Sequence, residues 1–276
     1  MAGWFGLKKL TPEAAEGKVS LHSLVICYML ALGLLILGGE GRFLFANPDW
    51  QIRDAVLYDL VKNPWPFDYQ VGGEAHILRA PLGMYLLPAL VSKAMPEAVD
   101  LVLLFSNALV FALLMAAAGS LFQTAQHKMI ALVVFISFSG LDSLGNLALA
   151  AAGGPLLTDH LEHWADGRQY SSVITLLFWV PQHAFAGWLC ALCLILYQRG
   201  QMRLGLVMAA IPLSALWSPF AVMGATPFAL WIGIKALVQR QIKPLDVLIG
   251  SLGFVIALPA LSYLTAGTQA LQQGLS

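Results

Sequence analysis

Long apolar runs are the feature of this sequence that most constrains its fold. A helix that crosses a membrane needs about 20 mostly apolar residues, and residues 99–122, 220–237 and 247–265 each supply a run of about that length. Charged residues make up only 11% of the 276 positions, whereas roughly a quarter of the residues in soluble domains are charged. The sequence therefore predicts an all-α integral membrane protein, and because it has no basic tail we expect no nucleic-acid partner.

We predict about seven transmembrane helices joined by loops of unequal length. Residues 1–20 form a cytoplasmic leader, and residues 40–97 form a long external loop after the first span. Residues 98–266 hold the six remaining helices, and residues 267–276 form an external tail. The predicted spans are 21–39, 99–122, 129–152, 174–197, 204–217, 220–237 and 247–265.

The distribution of Lys and Arg predicts the orientation, because cytoplasmic loops carry an excess of these residues. Nine of the 15 basic residues fall on the side of the N-terminus together with three acidic residues, and the other side holds six basic and 12 acidic residues. We therefore place the N-terminus in the cytoplasm and the C-terminus outside. Residues 81–95 are predicted to form a juxtamembrane or re-entrant helix, because a full crossing there would move five of the cytoplasmic bases outside.

The first external loop contains a second kind of helix. Residues 49–62 (DWQIRDAVLYDLVK) place Ile52, Val56 and Leu60 at helical spacing, with charged residues between them. This pattern predicts an amphipathic helix that lies in the membrane interface.

Two charged residues at the start of this segment are candidates for function. Asp49 follows Asn47-Pro48, so a helix N-cap is one role for its side chain. Arg53 lies four residues later, a spacing that suits an ion pair on one helix face. Such a pair contributes only about 0.3 to 0.5 kcal/mol when it is exposed, so the spacing by itself does not establish a functional site.

The segment Asp159-His160-Leu161-Glu162-His163 contains side chains that can bind metals. Residues three apart on a helix share a face, so His160 and His163 could bind one divalent cation. This spacing has low specificity, and a solvated loop is the alternative interpretation.

Gln182 and His183 follow Pro181 within an otherwise apolar run. Proline interrupts a helix and leaves carbonyl groups without their usual partners. The two side chains are either satisfied polar groups of the core or part of a pocket that faces the external loops.

The order of several motifs resembles the GT-C superfamily, the membrane glycosyltransferases that take sugars from polyprenyl-phosphate donors. One span precedes a long external loop with an acidic residue near its start (NPDWQIRDAVLYDL), a WP-x-x-Y segment (WPFDY) and a juxtamembrane stretch that opens with Pro-Leu-Gly (LRAPLGMYLLPALVSK). The segments FSGLDSLG and FWVPQHAFAGWL follow later. The resemblance covers essentially the whole chain and implies a GT-C-like fold of seven spans with juxtamembrane helices in the first loop.

The resemblance implies a reaction in which a sugar moves from a lipid phosphate to an acceptor at the external face. Asp49 would be the catalytic base. The lipid-phosphate or substrate-binding candidates are Arg53, Arg79, Gln182 and His183. The acceptor-side candidates are Asp54, Asp142, His160 and His163. No organic cofactor is implied, and a divalent cation stays an open alternative.

The resemblance also implies partners and a location. A polyprenyl-phosphate sugar is the expected lipid partner. The superfamily's variable module would begin where this chain stops, so we expect a second membrane protein to complete it. We expect a bacterial inner membrane, with the external loop in the periplasm.

Two other functions compete with glycosyl transfer. A non-catalytic GT-C-like subunit would serve the structure or assembly of a larger membrane complex. A transporter or channel would place ionisable residues at mid-membrane and often contains repeated broken helices. The ionisable residues of this chain gather at the external edge and no internal repeat is present, which argues against transport.

Overall fold

The computed structural model describes residues 19–139, 141–157, 162–163 and 171–266. These residues are mostly helical, with almost no sheet, as the apolar runs predict. The helices are α1 (Leu21–Leu37), α2 (Asp49–Lys62), α3 (Gly83–Ser92), α4 (Val99–Gly119), α5 (Ala125–Ile136), α6 (Asp142–Ala151), α7 (Val173–Trp179), α8 (Pro181–Gln198), α9 (Leu204–Leu213), α10 (Pro219–Val238) and α11 (Pro244–Thr265).

Within the described residues, three helices are long and apolar enough to cross a membrane. They are α4 with the 3₁₀ turn that precedes it (Pro96–Gly119), α10 and α11. Shorter apolar helices include α1, α3, α5 and the segment Leu204–Leu216. These lengths support a membrane protein, and the count of seven spans stays a prediction.

Two predicted spans are interrupted. The span predicted at 129–152 is two helices, α5 and α6, because the chain turns after Ile136 and Ser139 adopts a left-handed backbone with φ of 62°. The span predicted at 174–197 is divided at Val180, whose φ of −143° and ψ of 53° lie outside the helical region. Pro181 explains this second break, since it has no N–H to continue the helix.

Close packing of helix pairs forms the core. One cluster joins α1, α4 and α8 through buried side chains that include Leu35, Phe111 and Phe185. A second close pair is α9 and α11, where a Cβ atom added at Gly253 would lie 2.5 Å from Cα of Ala209. Small residues allow helix backbones to approach this closely, which is a common packing mode in membrane proteins.

Two hydrogen bonds show which helix ends lie together, one at each end of the bundle. At one end, Asn47 binds the carbonyl oxygen of Phe178, which joins the loop after α1 to the end of α7. At the other end, Arg199 after α8 donates to the carbonyl of Leu121 after α4, with 2.9 Å between Nη1 and the oxygen. The first group matches the ends predicted to be external, and the second matches ends predicted to be cytoplasmic.

The loop that the sequence predicts to be external, residues 40–97, folds against the first of these ends. Helices α2 and α3 pack together around Trp50, Leu57 and Tyr85. Between them, Tyr69–Val71 and Glu74–His76 form a two-stranded antiparallel hairpin. The hairpin is a small departure from the all-α expectation, and its turn is made by two glycines, at positions 72 and 73, that both have positive φ.

The contact between α9 and α11 gives a test of this packing. Alanine favours a helix over glycine by about 1 kcal/mol, so Gly233→Ala, where an added Cβ meets nothing within 4 Å, should leave the melting temperature unchanged or raise it. Gly253→Ala should lower it, because overpacking typically costs about 1–3 kcal/mol. Thermal unfolding in detergent measures both variants. Equal melting temperatures would contradict the close approach of α9 and α11.

Candidate functional site

The turn after α1 inserts a carboxyl group into the protein interior. Gly39 has φ of 94°, and a Cβ there would lie 2.6 Å from Cα of Ala46, so this position requires glycine. The following side chain, Glu40, is only 1% exposed. Asn107 on α4 donates a hydrogen bond from Nδ2 to Oε1 of Glu40 at 2.7 Å. This hydrogen bond attaches the loop after α1 to α4 in the protein interior.

Burial decides the protonation of Glu40. Removal from water disfavours the charged carboxylate, and this effect exceeds the opposing influence of the Asn107 hydrogen bond and the Arg53 charge. The pKa of Glu40 rises to about 8. Oε2 of Glu40 has no hydrogen-bond partner among the described residues, which is consistent with a protonated acid at neutral pH.

Arg53 lies on the buried side of α2, although its charge suggested an exposed position. Trp50, Val56, Leu57 and Leu60 are buried on the same face, whereas Ile52 is 71% exposed. Val56 and Leu60 are therefore buried as predicted, and Ile52 is exposed while Arg53 takes a buried position. Burial of Arg53 is unfavourable by itself, because a guanidinium group removed from water needs partners.

The partners of Arg53 come from two elements. Nη2 lies 3.2 Å from Oδ2 of Asp49 on the same helix and also donates to the carbonyl oxygen of Trp179. The guanidinium carbon lies 5.2 Å from the ring centre of Trp50, a cation–π contact. Nε and Nη1 have no acceptor in ordinary hydrogen-bond geometry within the part of the chain that the structure describes, although the Tyr85 side chain is close enough to Arg53 to interact with it. Burial lowers the pKa of Arg53 from its ordinary value.

Asp49 is the exposed member of this pair. Its side chain is 44% exposed, against 7% for Arg53. The structure does not use Asp49 as an N-cap, because Pro48 already has a helical backbone and Asp49 is the first helical residue. Its carboxylate can therefore be reached from solvent while it contacts a buried cation.

The break between α7 and α8 supplies the carbonyl groups that the loop binds. Helix ends leave carbonyl oxygens without helical partners. The carbonyl of Phe178 accepts hydrogen bonds from Asn47 at 2.6 Å and from Nε1 of Trp50 at 3.2 Å. Trp179 offers the next carbonyl, to Arg53. The loop after α1 and helix α2 thus bind the carbonyls of the last two residues of α7.

Gln182 and His183 lie just beyond this break, as their sequence positions predicted. Nδ1 of His183 is 2.9 Å from Oγ of Ser218, and its ring lies edge-on to Phe220. The side chain of Gln182 is buried, and its Oε1 has no partner in the described ranges. His183 is therefore a bonded residue near the site, and Gln182 retains a free acceptor.

Tyr85 on α3 completes the cluster. It is 4% exposed, and burial raises its pKa, with further electrostatic effects from Arg53 and Glu40. We call Glu40, Asp49, Arg53, Tyr85 and Asn107 the polar cluster. It combines one buried cation, one neutral buried acid at pH 7 and one accessible carboxylate, which is a set of groups that can bind an anion and accept a proton.

Asp54 belongs to a separate surface network. Arg42 lies 2.9 Å from Asp54 and 3.3 Å from Asp100, and Tyr58 donates to Asp100 at 2.8 Å. Partial burial raises the pKa of Asp54. The side chain of Arg42 is 53% exposed, so this network stabilises the protein only modestly. Its position ties the start of α4 to α2.

The remaining candidates are dispersed. Arg79 is exposed and donates to the carbonyl of Ala266 at the end of α11, at 3.2 Å. Asp142 begins α6 and accepts from Oγ of Ser139 at 3.4 Å. His163 is exposed, and His160 lies outside the described residues. The hydrogen bonds given for Arg79 and Asp142 go to residues outside the polar cluster.

A metal site is not formed by the described residues. No group of three or more His, Cys, Asp or Glu side chains among them could hold a metal ion. Because His160 lies outside the described residues, the divalent cation proposed for the 159–163 segment stays a prediction.

Three members of the polar cluster were missed by the reasoning from sequence. Glu40 was counted as an ordinary loop residue, Asn107 as part of a span, and Tyr85 as part of a juxtamembrane stretch. A signal for two of them exists, because an acid within Gly-Gly-Glu-Gly at a span end and an amide inside an apolar run both require a polar partner. Their pairing depends on the contact of the turn with α4, which the sequence does not specify.

Glu40 gives the stability of the protein a pH dependence of definite sign. Its pKa is about 8 in the folded protein, and Glu in an unfolded chain titrates near about 4.3. Between these values the folded state holds a proton that the unfolded state has released. The free energy of unfolding should therefore fall as pH rises, by at most about 1.4 kcal/mol per pH unit.

Melting temperatures in detergent from pH 5 to 8.5 measure this effect. Glu40→Gln keeps an acceptor for Asn107 and should flatten the decline. Glu74→Gln is the control, because the Glu74 side chain is 84% exposed, and it should keep the wild-type slope. An identical slope in wild type and Glu40→Gln would show that Glu40 does not hold the proton.

Comparison with known proteins assigns this chain to no family. No protein-family model matches the chain, and neither a curated protein nor a solved structure matches it. The resemblance to the GT-C superfamily stays a prediction that rests on the motifs described above.

Proposed function

We propose that this protein is a GT-C-like glycosyltransferase that moves a sugar from a polyprenyl-phosphate donor to an acceptor at the external face of the membrane. In this proposal Arg53 binds the donor phosphate and Asp49 is the catalytic base. The observation that carries the proposal is the pairing of an accessible carboxylate with a buried guanidinium at 3.2 Å, in which two guanidinium nitrogens have no acceptor in ordinary hydrogen-bond geometry among the described residues and have the Tyr85 side chain nearby.

The unsatisfied donors of Arg53 support an anionic ligand. A buried donor without an acceptor costs about 1–3 kcal/mol, so an arrangement that leaves two of them unpaired favours binding of a group with several acceptor oxygens. Phosphate is such a group, and the planar guanidinium can bind two of its oxygens at once. A phosphate that reaches Arg53 would compete with Asp49 for the cation and release the carboxylate.

The released carboxylate then has a chemical role. The acceptor O–H attacks the anomeric carbon of the sugar, the bond between that carbon and the phosphate oxygen breaks, and configuration at the carbon inverts. Asp49 accepts the hydroxyl proton. Arg53 stabilises the charge that develops on the departing lipid phosphate. Glu40, held protonated, avoids a second negative charge beside the phosphate.

The seven-span topology and the bacterial inner-membrane location belong to the same proposal. The grouping of helix ends supports the topology, because the polar cluster lies at the end predicted to be external. A second membrane protein that supplies the variable module is also part of the proposal. The large apolar side chains exposed on α10, including Phe228 and Trp231, offer a surface that either lipid or such a partner could cover.

A non-catalytic subunit is the second candidate, and one contact favours it. Arg53 bridges α2 to the carbonyl of Trp179, so its burial also has a purely structural explanation. In that case the polar cluster holds the external loop against the bundle and no sugar is transferred. The two candidates differ in what Asp49 does, because its exposed carboxylate contributes little to such a structural bridge.

Substitution of Asp49 tests the proposal. Asp49→Asn should lower kcat for sugar transfer by about 10²- to 10⁴-fold, the usual contribution of a general base, while KM for the donor changes little. Asp68→Asn, at an exposed loop position, is the matched control and should retain activity. The assay uses the protein reconstituted with its copurifying membrane partners and a panel of polyprenyl-phosphate sugars.

Arg53→Lys separates phosphate binding from charge alone. Lysine keeps the cation and loses the planar fork, so KM for the donor should rise more than kcat falls. Full sugar transfer by Asp49→Asn would refute its role as base. A complex whose activity survives Asp49→Asn and Arg53→Lys together would favour the non-catalytic subunit.

A further inference from the structure

An apolar cavity lies along the C-terminal half of α4, beginning at Phe111, one helical turn beyond Asn107 of the polar cluster. It has a volume of about 290 Å³ and is enclosed by α4, α5 and α8. Its inner wall contains Phe111, Phe135 and Trp188, and its outer part contains Phe122 and Lys128. Nothing in the glycosyl-transfer proposal uses this space.

The inner wall is a set of packed rings. Phe111 and Trp188 stack with centroids 5.4 Å apart, and Phe135 meets Trp188 edge-on at 5.0 Å. A cavity lined by such groups does not hold ordered water, and an apolar cavity of about 150 Å³ can already bind a benzene molecule. The larger volume here suits a segment of hydrocarbon chain.

The wall formed by α5 opens the cavity to the membrane. No residue of α5 is buried, so this helix has only shallow contact with the bundle. Met129, Val133 and Val134 on α5 are more than half exposed. A lipid chain beside α5 therefore has a short route into the space between α5, α4 and α8.

Basic groups mark the outer part of the cavity. Lys128 is the one charged side chain in its lining. Leu121, which also lines it, accepts a hydrogen bond from Nη1 of Arg199 at 2.9 Å. A lysine and an arginine thus lie near the same opening, at the end of the bundle predicted to face the cytoplasm. Basic pockets between membrane helices on that side suit anionic lipid headgroups.

We propose that this cavity binds one acyl chain of an anionic phospholipid, with the lipid phosphate beside Lys128 and Arg199. Burial of the methylene groups of the chain contributes to binding, and the two cations select the charged headgroup. Helix α4 has 21 residues and rises about 1.5 Å per residue, so this lipid is separate from a donor whose phosphate binds at Arg53.

Native mass spectrometry of the protein in detergent tests the site with phosphatidylglycerol and phosphatidylcholine as probes. Wild type should bind phosphatidylglycerol in preference to phosphatidylcholine, with one tightly bound molecule lost in Ala131→Leu, which fills the cavity. Lys128→Gln should weaken phosphatidylglycerol binding about fivefold, as expected for loss of one cation near a lipid phosphate. Lys235→Gln and Ala260→Leu, which lie outside the cavity lining, are the controls.

Fluorescence quenching gives a second readout that does not depend on lipid retention in the gas phase. Phosphatidylglycerol with a brominated acyl chain should quench a saturable part of the tryptophan fluorescence, and Trp188→Phe should remove that part. Equal binding of the two lipids, or a tightly bound molecule that persists in Ala131→Leu, would overturn the proposal. Either result is independent of sugar transfer, because Asp49 and Arg53 are unchanged in these variants.

Discussion

The hydrogen bonds between the external loop and the break at Pro181 are the constraint on which the rest of the structure depends. Backbone carbonyls near a membrane cannot be left without partners, and the end of α7 exposes two of them. Asn47 and Trp50 bind the carbonyl of Phe178, and Arg53 binds that of Trp179. The break thus fixes α2 in place, and α2 in turn brings Asp49 to the same location.

Charge balance explains why this arrangement can be both buried and reactive. Arg53 has carboxyl groups on two sides, Asp49 toward solvent and Glu40 toward α4. Because burial keeps Glu40 protonated below a pKa of about 8, the cation needs only one carboxylate at neutral pH. That carboxylate is the accessible one. An incoming phosphate would therefore compete with Asp49 for Arg53, and the interior charge would stay unchanged.

The sequence predicted the elements that depend on local patterns. Helix α2 begins and ends at the predicted residues, the interruption at Pro181 follows from its missing N–H, and the long apolar runs of α4, α10 and α11 form helices. The interruption between α5 and α6 was missed, because the sequence Ser-Phe-Ser-Gly at positions 137–140 has no proline to mark it.

Side-chain partners could not be predicted, because they depend on tertiary contacts. The amphipathic pattern of α2 assigned Ile52 to the buried face and Arg53 to a charged one, and the structure reverses both. The carbonyls of Phe178 and Trp179 bind Trp50 and Arg53 from positions more than 120 residues later in the chain. The helical period of α2 cannot predict these contacts. The same limit applies to Glu40 and Asn107, which are 67 residues apart.

Helix α4 connects the two ends of the molecule through one face. Leu104, Asn107, Phe111 and Met115 recur at spacings of three or four residues, so they lie along a single side of the helix. Asn107 binds the carboxyl group of the polar cluster, and Phe111, one turn further on, lines the apolar cavity. Within one turn, this buried face of α4 therefore changes from a polar residue that binds Glu40 to apolar residues that line the cavity.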